Sequence, residues 1–77
     1  MLFLIEYDRN QGEVVTIREY SSTDRQSAET ARLDLELELN RRHQKREVVL
    51  LEAASEEALR KTHRRYFENL SQLVEAS

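Results

Sequence analysis

Two short stretches concentrate the side chains that could do chemistry. Arg41-Arg42-His43-Gln44-Lys45-Arg46 is the densest basic run, and Arg60-Lys61-Thr62-His63-Arg64-Arg65 is the second. Clustered cations of this kind suit a phosphate-bearing ligand or a nucleic-acid backbone. The contacts would come from Arg41, Arg42, Lys45, Arg46, Arg64 and Arg65. The opposing reading is solvated charge. Cations at the end of a helix complement its dipole, and charge runs are usually water-facing. Tyr66 is the only aromatic residue beside the basic runs, and a helical wheel puts it on a buried side. The sequence pI is near 5.4, well below that of most nucleic-acid-binding domains. Nucleic-acid or phosphate-ligand binding is therefore the secondary reading.

Other reactive residue types have ordinary assignments. His63 lies at the edge of an apolar helix face, between Leu59 and Phe67, and reads as a boundary histidine. His43 sits among cations in a loop. No His-x-x-x-His or Glu-x-x-His spacing occurs, so no metal is expected. Ser21, Ser22 and Ser55 stand where helix caps belong. No glycine-rich phosphate loop exists, and no nucleophile, oriented base and oxyanion site come together. No enzyme activity and no cofactor are expected.

The elements that position these residues are organised around Thr23 to Arg42. Its second half, Leu33-Asp34-Leu35-Glu36-Leu37-Glu38-Leu39, alternates apolar and acidic residues with the period of a strand. The letters themselves are strong helix formers, and Gly, Pro, Val and Ile are absent. Thr23 and Gln26 fit a capping box. Arg25 with Glu29, Arg32 with Glu36, and Glu38 with Arg42 are i,i+4 pairs of opposite sign. Residues 23–42 are predicted to be a helix. At about 100° per residue, Ala28, Ala31, Leu35 and Leu39 share one face. Leu33 and Leu37 then point the opposite way, into water or against an oligomer partner.

Three strands are predicted at 2–8, 13–20 and 47–53, and a second helix at 55–74. Gly12 is the only glycine. A three-residue hairpin loop, Asn10-Gln11-Gly12, places Gly12 in the left-handed position. That register sets Arg9 opposite Glu13, Tyr7 opposite Val15 and Ile5 opposite Ile17, with Phe3 beyond on the same face. Leu2, Leu4, Val14, Val48 and Leu50 share the second face with Glu6, Thr16, Arg18 and Glu52, so helix two or a partner must cover it. A right-handed crossover makes the third strand parallel to the second. The most apolar strand, the first, belongs in the middle, giving order 2-1-3. The expected fold is α+β: one two-layer ββαβα domain over residues 1–77, with a three-stranded mixed sheet.

The chain has 77 residues and no cysteine, so no disulfide stabilises it. Domains this small commonly need a metal, a disulfide or an oligomer as well as their core. The formal net charge is −3, and 35% of residues are charged, with both signs interspersed. No segment is apolar for long enough to cross a bilayer, and the Met1–Ile5 run is too short for a signal-peptide core. The leading expectation is a cytoplasmic, non-enzymatic interaction module that forms a homodimer through Leu33 and Leu37.

Overall fold

The computed structural model describes residues 1–67. Strand β1 (Leu2–Asp8) pairs antiparallel with β2 (Glu13–Tyr20) on one side and with β3 (Glu47–Glu52) on the other. The order is β2-β1-β3. β3 runs in the same direction as β2, as the crossover requires, but β1 separates them. Both hydrogen-bonded pairs are therefore antiparallel, where the sequence suggested a mixed sheet.

β1 is central because it is apolar on both faces. Leu2, Phe3, Leu4 and Ile5 are all essentially inaccessible to water. Alternate residues of a strand point to opposite faces, so both faces of β1 need a cover. Helix α2 (Glu56–Thr62) covers one: Leu59 packs with Phe3 and Ile5, flanked by Val14, Ile17, Val49 and Leu51. Helix α1 (Arg25–Arg41) packs on β3 and β1 and covers the Leu2/Leu4 face with Ala28 and Leu39. The fold is thus α+β in three layers, not two. The less regular sheet face goes to α1, the helix with two alanines, and the cleaner face to the shorter α2.

The Leu-acid repeat is helical over its whole length. Ala28 and Leu39 are buried, Ala31 and Leu35 half-buried, and Leu33 and Leu37 exposed. Strand periodicity loses because the helix buries every second leucine against the sheet while keeping the intrahelical ladder. The expected Thr23–Gln26 capping box does not form. A 3-10 turn, Ser22–Asp24, precedes the helix, and the Ser21 hydroxyl accepts from the Thr23 amide at 3.4 Å. Arg25 reaches the Glu52 carboxylate at 3.3 Å rather than Glu29. Arg32 and Glu36 do not pair, whereas Glu38 does bind Arg42 at 3.6 Å.

The hairpin register holds from Leu2–Tyr20 to Glu6–Thr16 and then shifts by one residue. Tyr7 faces Val14, and Asp8 faces Glu13. The cause is Asp8. Its carboxylate accepts from the Asn10 and Gln11 amides at 2.9 and 3.1 Å, and its carbonyl accepts from the Gly12 amide at 2.8 Å. This local turn closes a four-residue loop, so β2 must absorb one extra residue. Val15 is that residue, bulged and exposed, and Val14 joins the Phe3/Ile5 face instead. Gly12 does take the expected positive φ, at 67°.

Helix α2 stops at Thr62, well before the expected residue 74; residues 68–74 lie outside the described part. The Thr62 hydroxyl donates back to the Ala58 carbonyl at 3.0 Å, and Arg64–Tyr66 form a 3-10 turn. Tertiary packing explains the break. The turn carries Tyr66 onto Tyr7, edge to face with centroids 5.1 Å apart.

Helix α1 ends in a Schellman arrangement. The Gln44 amide donates to the Leu39 carbonyl at 2.9 Å and the His43 amide to Asn40 at 3.1 Å, with His43 at φ 56°. Glycine takes this conformation without steric cost. His43→Gly is expected to stabilise the domain by roughly 0.5–1 kcal/mol, and His43→Val to destabilise it. Urea unfolding of the two variants checks both signs. In the core, Leu59→Ala is expected to cost about 2–5 kcal/mol. Leu35→Ala should cost less, because Leu35 is only half-buried.

Candidate functional site

The left-handed turn at His43 directs the chain back beneath the end of α1 and into β3. Between the flank of α1 and this returning segment lies an open groove of about 870 Å3. Its helix wall is Leu33, Glu36, Leu37 and Asn40, spaced i, i+3, i+4 and i+7. Its other wall is residues 44–48, joined by Arg9 and Asn10 from the β1–β2 loop. Leu39 and Val48 add apolar surface to its lining. Leu33 is 54% exposed and Leu37 52%, more than any other large apolar side chain among the described residues.

The first basic run does not present one charged face. Arg41 and Arg42 both turn to Glu38, at 2.6 and 3.6 Å. His43 makes the turn. Lys45 lines the groove. Arg46 turns inward and binds Glu6, the one buried charged residue among those described. Glu6 lies on the α1 face of β1 beside Leu2 and Leu4. A carboxylate there is tolerable only with a cation and hydrogen bonds to replace its water. Arg46 is therefore a structural partner rather than a free cation.

The second run is split as well. Arg60 binds Glu56 at 3.0 Å and Lys61 binds Glu57 at 3.4 Å, both i,i+4 pairs that the sequence predicts. Arg60 also lies over the Phe67 ring at 4.5 Å. Arg65 reaches Glu47 at 3.1 Å and donates to the Tyr66 hydroxyl at 2.5 Å. The Tyr66 hydrogen bond first, with the nearby Glu47 carboxylate, holds the Arg65 guanidinium above its ordinary pKa. Arg64 lies with Arg60, Lys61 and Phe67 around a shallow depression on α2. Arg64 and Arg65 thus belong to the α2 side of the sheet, while Arg41, Arg42, Lys45 and Arg46 belong to the α1 side. The two runs do not converge on one surface.

The remaining candidates are structural. Ser55 caps α2 by accepting from the Ala58 amide at 3.1 Å. Ser22 donates to Glu52 at 3.4 Å. His63 is half-buried, 6.5 Å from the Tyr66 ring. Among the described residues, no three His, Asp or Glu side chains gather as metal ligands would. No described helix is long and apolar enough to cross a membrane.

Sequence reasoning placed Leu33 and Leu37 on the outer face. It missed the groove that sets Glu36 on one wall and Arg9 and Lys45 on the other, and it missed the Glu6–Arg46 pair. One signal for that pair was available: a lone glutamate in a strand of four consecutive apolar residues needs a cation. The third strand's antiparallel placement beside the first would have brought Arg46 within reach. Comparison with protein-family models, curated proteins and solved structures gives no match to this chain.

Arg46→Met leaves the Glu6 carboxylate enclosed without its cation. The expected cost is roughly 2–4 kcal/mol, somewhat below that of a fully enclosed pair, because Arg46 keeps a quarter of its side chain in water. The double change Glu6→Leu with Arg46→Met is expected to recover most of that loss, since a packed apolar pair removes the stranded charge. Urea midpoints of the wild type and both variants measure the difference. A double variant no more stable than Arg46→Met alone would contradict this role for Arg46.

Proposed function

We propose that this domain is a cytoplasmic, non-enzymatic protein-interaction module that self-associates through the outer face of α1. The observation that carries the reading is the pair Leu33 and Leu37. They stand one turn apart, half-exposed, on a helix whose other apolar residues face the sheet. A helix that only needed to cover the sheet would gain solubility from polar residues there. The core gives independent support: among the described residues few large side chains are fully buried, and with no cysteine in the sequence no disulfide adds to them.

Magnitudes limit what the leucines do alone. Covering the exposed halves of four leucines across a two-fold contact contributes on the order of 3–6 kcal/mol. Association costs about 4–15 kcal/mol in lost freedom. The leucine pair is therefore a centre for the contact, and the groove beside it must supply the rest. Phosphate or nucleic-acid binding has weaker support, because most of the cations it invokes are held by carboxylates of the same chain.

Light scattering coupled to size-exclusion chromatography over a concentration series tests the reading. The wild type is expected to show a dimer that dissociates on dilution. Leu33→Ser with Leu37→Ser should shift it to monomer while helix content by circular dichroism stays the same, and should cost the monomer fold no more than about 1 kcal/mol. A strict monomer at every accessible concentration, with a melt independent of concentration, overturns the proposal.

A further inference from the structure

The groove beside Leu33 and Leu37 divides its charges in a way that a simple apolar contact does not require. Its helix wall carries Glu36, and its opposite wall carries Arg9 and Lys45. Among the described residues these three have no ion-pair partner, although their neighbours do: Arg46 holds Glu6, Glu47 holds Arg65, and Glu38 holds Arg41 and Arg42. The groove stays open with unlike charge on its two walls and no bridge between them.

Such a groove is self-complementary. A two-fold axis presents each wall of one copy to the unlike wall of the other. We infer that the occupant is α1 of a second copy, seated so that Glu36 of each copy meets Lys45 and Arg9 of the other, around the Leu33/Leu37 contact. This rests on the self-association reading and specifies how the two copies recognise each other. Other peptide occupants fit less well. An acidic segment would place a like charge against Glu36, and a basic one would meet Arg9 and Lys45. A second copy supplies a partner to all three charges at once and covers both leucines. Charges at the rim of an apolar contact fix register and select the partner more than they add affinity.

Charge exchange in the full chain tests this. Glu36→Lys and Lys45→Glu are each expected to raise the dimer dissociation constant by about tenfold or more, because each places like charges together. Mixing the two single variants in equal amounts should then restore association in part as a heterodimer, since both contacts between positions 36 and 45 become unlike again while the lysine introduced at position 36 still faces Arg9. A chain carrying both changes should dimerise with itself more tightly than either single variant. Circular dichroism and thermal melts of each variant at low concentration confirm that the monomer fold is retained. If the wild type dimerises but the single reversals leave its dissociation constant unchanged and the mixture shows no heterodimer preference, the contact lies elsewhere. The inference then fails while self-association stands. A wild type that never dimerises overturns both.

Discussion

β1 is a strand that must be hidden on both sides, and the remaining elements follow from that. Four consecutive apolar residues, Leu2 to Ile5, are almost wholly removed from water. In a three-stranded sheet only the middle position gives such a strand neighbours along both edges. Only a helix on each face gives it two covers. The chain is short, so each cover is made with little material. α1 lies flat on two small side chains and a leucine, and α2 places one leucine over Phe3 and Ile5. The burial of Glu6 belongs to the same constraint. It sits at the far end of the strand, under α1, and draws Arg46 inward. That in turn fixes how the chain enters β3.

The entry into β3 links the core to the candidate surface. Because α1 ends in a left-handed residue at His43, the next residues return beneath the helix instead of leaving it. Lys45 is thereby set across from Glu36 with a groove between them. The surface features are consequences of the helix end and the buried ion pair. They are not independent decorations of the surface.

Much of the architecture was readable from letters. Helix propensity decided the Leu-acid repeat correctly against its strand-like period, because no turn or β-branched residue interrupts it. The wheel then separated Ala28 and Leu39 from Leu33 and Leu37. Apolar content alone put β1 in the middle. The failures share a cause: short-range polar chemistry that periodicity does not record. Asp8 closes its own loop and forces the bulge at Val15. His43 takes a conformation that glycine usually announces. α2 breaks because Tyr66 finds Tyr7, a contact between residues far apart in the chain. The helices also exchange faces relative to the expectation: α1, not α2, lies on the Leu2/Leu4 side. For the site, Leu33 and Leu37 were legible because they violate a pattern. Arg9 and Glu36 were not, since nothing in sequence brings a hairpin loop beside the middle of a helix.

The central position of β1 also bears on synthesis. In chain order β1 meets one partner, β2, almost at once, but its other edge waits for β3, whose Glu52 pairs with Leu2. During translation, which proceeds from the N-terminus, the first pairing within this sheet open to β1 is a two-stranded hairpin with β2. Such hairpins are marginal on their own, and this one would present apolar residues on both faces and an open edge. Both covers arrive later, and the α2 cover arrives after all three strands of this sheet. The interval between the β1–β2 hairpin and α2 is the period in which this sheet is most exposed to wrong pairing.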